Sequence, residues 1–121
     1  MTIPIEFIMI LASVESNCNP SAVGDKFEAL GILQMHSAYV QDAAEFAGED
    51  WVHMDAIDEL TAIRIFRAYM ERYATEERLG RPITLEDIAR IHNGGPNGYK
   101  KLSTIPYWNK VKCLINIQQS M

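Results

Sequence analysis

Apolar residues recur at helical spacing through most of this chain. Ile8, Leu11 and Ala12 follow Pro4, a residue suited to a first helical turn, and the same spacing carries Glu15 onto the apolar side near the helix end. The segment NCNPSAVGD, residues 17–25, stops that helix. From Gly24 to Gln34 glycines and small residues replace the helical period, which predicts an irregular or hairpin-like segment. HSAYVQDAAEFAG, residues 36–48, predicts a second helix closed by Gly48. Ile57, Leu60, Ile63, Ile65, Phe66, Tyr69, Met70 and Tyr73 keep the period between Asp55 and Leu79, predicting a long central helix stopped by Gly80 and Pro82. Thr84 with Asp87 three residues later nearly matches a capping box. That helix is expected to deliver His92 and Asn93 to the loop beyond it, and a terminal helix starts at Pro106. No repeat, linker or low-complexity stretch interrupts the pattern, so a single mainly α domain over residues 1–121 is expected.

Composition narrows the function classes. With 121 residues, 48% of them apolar, the chain can bury one core. A formal charge of −5 argues against nucleic acid and against an anionic membrane surface, because either partner calls for clustered Lys and Arg. The apolar run near the N-terminus is too short to span a bilayer and lacks the positive flank of a signal peptide. Cys18 and Cys113 are too few for a disulfide framework and are expected as free thiols.

Two regions carry candidate chemistry. ARIHNGGPNGYKK, residues 89–101, crowds a His, two Asn, three Gly and a Pro into one turn. A tight turn needs one Gly and one Asn. The surplus suits a sugar-binding wall, because Gly lets a saccharide approach the main chain and Asn both donates and accepts. At the other end, a carboxyl on the apolar side of a helix is poorly solvated, which favours the protonated form that a general acid needs, and Glu15 occupies such a position. Asp25 lies ten residues on, in a Gly-flanked loop able to fold back, with Glu28 as a rival. One protonated and one ionised carboxyl form the working pair of most glycosidases.

VESNCNPSAVGDKFEALGILQ resembles the Glu-Ser, Asn-Pro and Gly-x-x-Gln signature of the lysozyme-like superfamily, which includes soluble lytic transglycosylases. ARIHNGGPNGYKKLSTIPYWNKV resembles the C-terminal half of invertebrate-type lysozymes more closely still. The resemblance implies an α+β lysozyme-like fold and a muramidase that cleaves the β-1,4 bond between N-acetylmuramic acid and N-acetylglucosamine in peptidoglycan. Glu15 matches the catalytic acid, and Asp25 matches the nucleophilic Asp across a one-residue gap. Ser16, Gln34, His92 and Asn93 match substrate-binding positions. His at position 92, where transglycosylases usually carry Tyr, favours the hydrolases. No cofactor or metal is implied, the partner is the glycan strand, and the enzyme is expected to act as a monomer. The family's many disulfides are missing, as in a microbial or phage version, and the lack of a signal sequence fits either an endolysin held in the cytoplasm until release or a trimmed secreted protein.

Rival readings exist for the same residues. Cys18 with His92 would suit a thiol nucleophile, yet a Cys between two Asn has no visible activating cation. A metal site from His36, His53 and His92 lacks ligands at helical spacing. A glycan-binding module on the same scaffold, or a transglycosylase giving 1,6-anhydro ends, differs from the hydrolase in its products. Tyr39, Tyr99 and Trp108 are candidates for stacking on sugar faces, although aromatic residues of helical proteins are more often core.

Overall fold

The computed structural model describes residues 2–120, which fall into two compact units, 2–72 and 73–120. In the first unit, helix α1 (Ile5–Ser16) starts directly after Pro4, whose extended backbone makes it the cap, one residue ahead of the first-turn position expected. The carbonyl of Pro4 accepts from the N–H groups of both Phe7 and Ile8. The helix buries Phe7, Ile8, Ile10, Leu11 and Ala12. Asn17 ends it in a left-handed conformation (φ 55°), so that its N–H reaches the carbonyl of Ser13 and that of Cys18 the carbonyl of Ala12. These are the bonds that satisfy the orphan carbonyls of a helix terminus, and Asn tolerates the left-handed region better than most residues.

The hairpin expected near 24–34 is present. Strands β1 (Val23–Gly24) and β2 (Ala29–Leu30) pair antiparallel, Val23 with Leu30 and Gly24 with Ala29, and Leu30 bridges onward to Met35. Gly31 has φ 82°, and a Cβ there would overlap the carbonyl oxygen of Ala56, so both conformation and space demand glycine. Helix α2 (Ser37–Ala47) closes on Gly48 in the left-handed region, as its sequence predicts.

The long central helix is three pieces: a 3₁₀ turn (His53–Ile57), helix α3 (Glu59–Tyr73) and the single turn α4 (Glu76–Leu79). Asp58 accepts from the backbone N–H of Thr61 at 3.0 Å and from its hydroxyl at 2.7 Å, capping α3. Thr75 accepts from the N–H of Arg78 and caps α4. Apolar spacing continues across both breaks because a cap is a polar residue competing locally for backbone N–H groups, which a hydrophobic period does not register.

Ile8, Leu11, Leu33, Val40, Ile65 and Phe66 are fully buried and form the core of residues 2–72. Truncating such a side chain, Leu11→Ala for example, costs about 2–5 kcal/mol. Tyr39 and Tyr69 stack with ring centroids 3.7 Å apart and planes 7° from parallel. Arg67 donates to the carbonyl of Ile3 and Arg72 to that of Asp42, tying α3 to the chain start and to α2.

In residues 73–120, helix α5 (Leu85–Gly94) packs against α6 (Ile105–Ser120) and against two 3₁₀ turns (Gly98–Lys100 and Leu102–Thr104). Its buried residues include Ile88, Ala89 and Ile91, and α6 buries Tyr107 and Val111. The capping box is complete: the Thr84 side chain accepts from Asp87 N–H, and the Asp87 carboxylate accepts from Thr84 N–H. Arg81 adds a bidentate grip on Asp87, at 2.6 and 2.7 Å. Burial pushes the Asp87 carboxyl up, but the hydrogen bonds from Arg81 and Thr84 outweigh it and hold the group below the usual Asp range. Among the described residues, no helix is long and apolar enough to cross a membrane.

Candidate active site

Glu15 sits half-buried in the last turn of α1, where apolar spacing had placed it. Its neighbour Ser16 fixes what lies beside it. The Ser16 hydroxyl lies 2.7 Å from the carbonyl oxygen of Ile32 and 3.2 Å from that of Ala12, and it accepts from the N–H of Asn19 at 3.2 Å. One hydroxyl therefore joins the helix end to the segment after β2 and to the turn before β1. Gln34 braces the hairpin itself. Its amide nitrogen donates to the carbonyls of Ala22 (3.2 Å) and Gly31 (3.0 Å), and its own backbone is left-handed (φ 50°). Ser16 thus ties the hairpin segment to the helix that carries Glu15, while the Gln34 bonds stay within the hairpin.

Asp25 opens the hairpin loop. Asp25, Lys26 and Phe27 all have positive φ, at 49°, 57° and 75°, and the loop closes with Glu28 N–H donating to the Asp25 carbonyl. The Asp25 carboxylate is exposed and its Oδ2 lies 2.9 Å from Nε2 of His36. Glu28 is 4.0 Å from the other ring nitrogen, Nδ1. Phe27, between them in sequence, is 82% exposed, an aromatic ring offered to solvent at the loop tip.

In residues 73–120, His92 and Asn93 lie in the last turn of α5 rather than in the loop, because the helix runs on to Gly94 and Gly95 caps it with φ 88° and a bond to the Ile91 carbonyl. His92 is buried and Asn93 exposed. The glycines do two jobs. A Cβ at Gly94 would overlap the Thr104 methyl and one at Gly98 the Arg90 carbonyl oxygen, so these two allow the chain to pack on itself; Gly95 faces open space. Arg78 holds the loop from outside through the carbonyl of Pro96 (2.8 Å) and the side chain of Asn97 (2.9 Å), with its guanidinium over the rings of Tyr73 and Tyr99. Arg90 and the buried Thr104 hold it from within: Arg90 donates to Thr104 Oγ1 and to the Lys101 carbonyl, and Thr104 donates to the Gly98 carbonyl. The result is a preorganised loop with few free backbone groups, presenting the Asn93 amide at its edge.

Comparison with known proteins identifies the family and the fold. A family model described as Destabilase matches residues 6–113. The chain belongs to the Destabilase family. Among its relatives, a lysozyme from Magallana gigas is 35% identical over 114 residues, covering 91% of this chain and 79% of the relative. One from Meretrix lusoria is 36% identical over 106 residues, covering 84% and 82%. The crystal structure of Tapes japonica lysozyme superposes with a TM-score of 0.75 at 30% identity, covering 90% of this chain and 88% of that one. A structure of inhibitor-bound lysozyme from Meretrix lusoria gives 0.76 at 32%, covering 93% and 90%. The mainly helical lysozyme-like fold with its small two-stranded sheet is thereby established.

Several features of this Destabilase-family chain were hidden in the sequence. His36 drew notice only as a possible metal ligand, and among the described residues no three His, Cys, Asp or Glu side chains converge to hold an ion. Its signal is the strand register, which apolar counting does not reveal. Arg78 was invisible because its partners are carbonyls and rings distant in sequence. Tyr39 belongs to the stack with Tyr69, Trp108 is half-buried, and among the described residues the exposed aromatics are Phe27 and Phe46. Both cysteines are exposed free thiols, Cys18 with its sulfur 3.7 Å from the Met9 carbonyl oxygen.

Proposed function

We propose that this chain is a muramidase in which Glu15 and Asp25 divide the work of glycosidic bond cleavage. The activity class follows from the family: the chain is a lysozyme-type glycoside hydrolase acting on peptidoglycan. The observation that supports the division of labour is that Glu15, half-buried, and Asp25, exposed, are joined through one hydrogen-bonded frame, the Ser16 bond to Ile32 and the Gln34 clamp on the hairpin. Glu15 delivers a proton to the glycosidic oxygen as the bond to the anomeric carbon breaks. Asp25, carrying negative charge in a wetter setting, meets the positive charge developing at that carbon, and water completes the hydrolysis. The bond cleaved is the β-1,4 linkage from N-acetylmuramic acid to N-acetylglucosamine.

Ser16 and Gln34 serve by shaping the site, since their polar atoms already bond backbone groups. Asn93, exposed at the end of α5, is the glycan contact, and His92 before it is buried in the same helical turn. The reading includes a monomeric enzyme that lyses bacteria through their walls, with no cofactor. A mass spectrum of digested peptidoglycan tests it. Saccharides with free reducing ends are expected; 1,6-anhydro ends would make the chain a transglycosylase, and wall binding without released saccharide a binding module.

A further inference from the structure

Continuing the strand register shows why three ionisable side chains meet at one end of the hairpin. Leu30 pairs with Val23 on one side and Met35 on the other, both antiparallel. One step toward the loop, Gly24 pairs with Ala29, and on the other side the residue that follows Met35 toward the loop is His36. The next step is the loop itself, opening with Asp25 and closing with Glu28. The Leu30–Met35 bridge thus brings the next residue, His36, beside both carboxylates, and its position is further fixed as the cap residue that precedes α2.

The imidazole does not treat the two alike. Nε2 lies 2.9 Å from Oδ2 of Asp25, a full hydrogen bond, whereas Nδ1 lies 4.0 Å from Oε2 of Glu28, beyond hydrogen-bond distance. The Asp25 bond forms whether the ring is an imidazolium or the neutral tautomer with its proton on Nε2. Attraction to Glu28 needs the imidazolium. The pair is also exposed, with His36 at 48% and Asp25 at 69% of the side chain accessible. Exposed ion pairs contribute little to stability, too little to offset the left-handed backbone of residues 25–27. The contact does little for stability, and what it does fix is the direction of the Asp25 carboxylate.

We propose that His36 is the positioning residue of the second carboxylate: by holding Oδ2 of Asp25 it leaves Oδ1 for the anomeric carbon, and it thereby selects Asp25 over Glu28 for that role. This rests on the hydrolase reading, in which Asp25 takes part in the chemistry. In the Glu15–Asp25 pair one group must carry its proton along a defined line, and misplacing a reacting group by about 1 Å costs on the order of 100-fold. Among the described residues the Asp25 carboxylate, at the head of a left-handed loop, makes its one side-chain hydrogen bond to His36, so the imidazole supplies the geometry.

The test uses the whole chain acting on soluble peptidoglycan fragments, with kcat and KM measured separately and thermal unfolding alongside. His36→Ala is expected to lower kcat by up to about 100-fold while KM and the unfolding temperature stay close to the parent. His36→Gln, whose amide nitrogen reaches the place of Nε2, should recover most of the activity, and His36→Asn, which is too short, should not. In an Asp25→Asn background, His36→Ala should cause no further loss. His36→Ala within twofold of the parent, with Asp25→Asn inactive, overturns the positioning role and leaves the hydrolase reading intact. Substantial activity in Asp25→Asn overturns the hydrolytic pair itself and the positioning role with it. If His36→Ala does not fold, the Gln and Asn variants decide, and equal activity in both overturns the proposal.

Discussion

The Arg78 guanidinium donates to the side-chain oxygen of Asn97 at 2.9 Å, and the same group bonds the carbonyls of Pro96 and Tyr73 at 2.8 Å. A four-residue helix thus pins the glycine-rich loop that follows α5. The planar fork also lies over two tyrosine rings, an arrangement that a lysine cannot reproduce. Arg78→Lys should therefore resemble Arg78→Ala in thermal unfolding, both losing roughly 1 kcal/mol, given that the site is exposed. A lysine variant as stable as the parent would show that charge alone holds the loop.

Glu15→Gln removes a proton donor and almost no volume. Turnover of peptidoglycan should fall about 100- to 10,000-fold with unfolding unchanged. Asp25→Asn is expected to be nearly inactive and Glu28→Gln to change activity only modestly. The reverse order would make Glu28 the second carboxylate.

Asn93 and Gly98 stand a few residues apart and should fail in different ways. Asn93→Ala, at an exposed side chain, should impair turnover and leave stability alone. Gly98→Ala drives a methyl into the Arg90 carbonyl, and the backbone there cannot move without breaking the Thr104 bond. It should destabilise by about 1–3 kcal/mol, the usual cost of overpacking, and the protein that still folds should retain its activity.

Asp87 offers a pH test. Its carboxyl is held below the ordinary range in the folded chain by Arg81 and Thr84 against the opposing effect of burial. The stability it contributes is present above the unfolded value of about 3.9 and is lost as pH falls through the lower folded value. The difference in unfolding temperature between the parent and Asp87→Asn should thus be greatest near neutrality and shrink below about pH 4. A gap that stays constant down to pH 2 would mean that shape rather than charge sets the effect.

Apolar spacing foretold α1 and put Glu15 where it stands, because burial on one face follows directly from a 3.6-residue period, and the cap residues Gly48, Thr84 and Asp87 foretold α2 and α5. Apolar spacing also joined the 3₁₀ turn, α3 and α4 into one helix, because Asp58 and Thr75 interrupt the backbone without interrupting the apolar stripe. The glycines of residues 94–98 were legible as special and misread in part. They suggested room for a sugar, yet two of the three make room for Thr104 and Arg90. The His36–Asp25 contact was illegible for a different reason. It depends on which residues pair across a two-residue strand, and composition gives no register for so short a segment.

Cys18 and Cys113 both remain thiols on the surface. The fold therefore owes nothing to an oxidising compartment, and dithiothreitol should leave its melting curve where it was. Oxidation is the hazard instead. Concentrated protein stored in air should accumulate covalent dimers visible on a non-reducing gel, and replacing both thiols with serine should remove that ladder while preserving turnover.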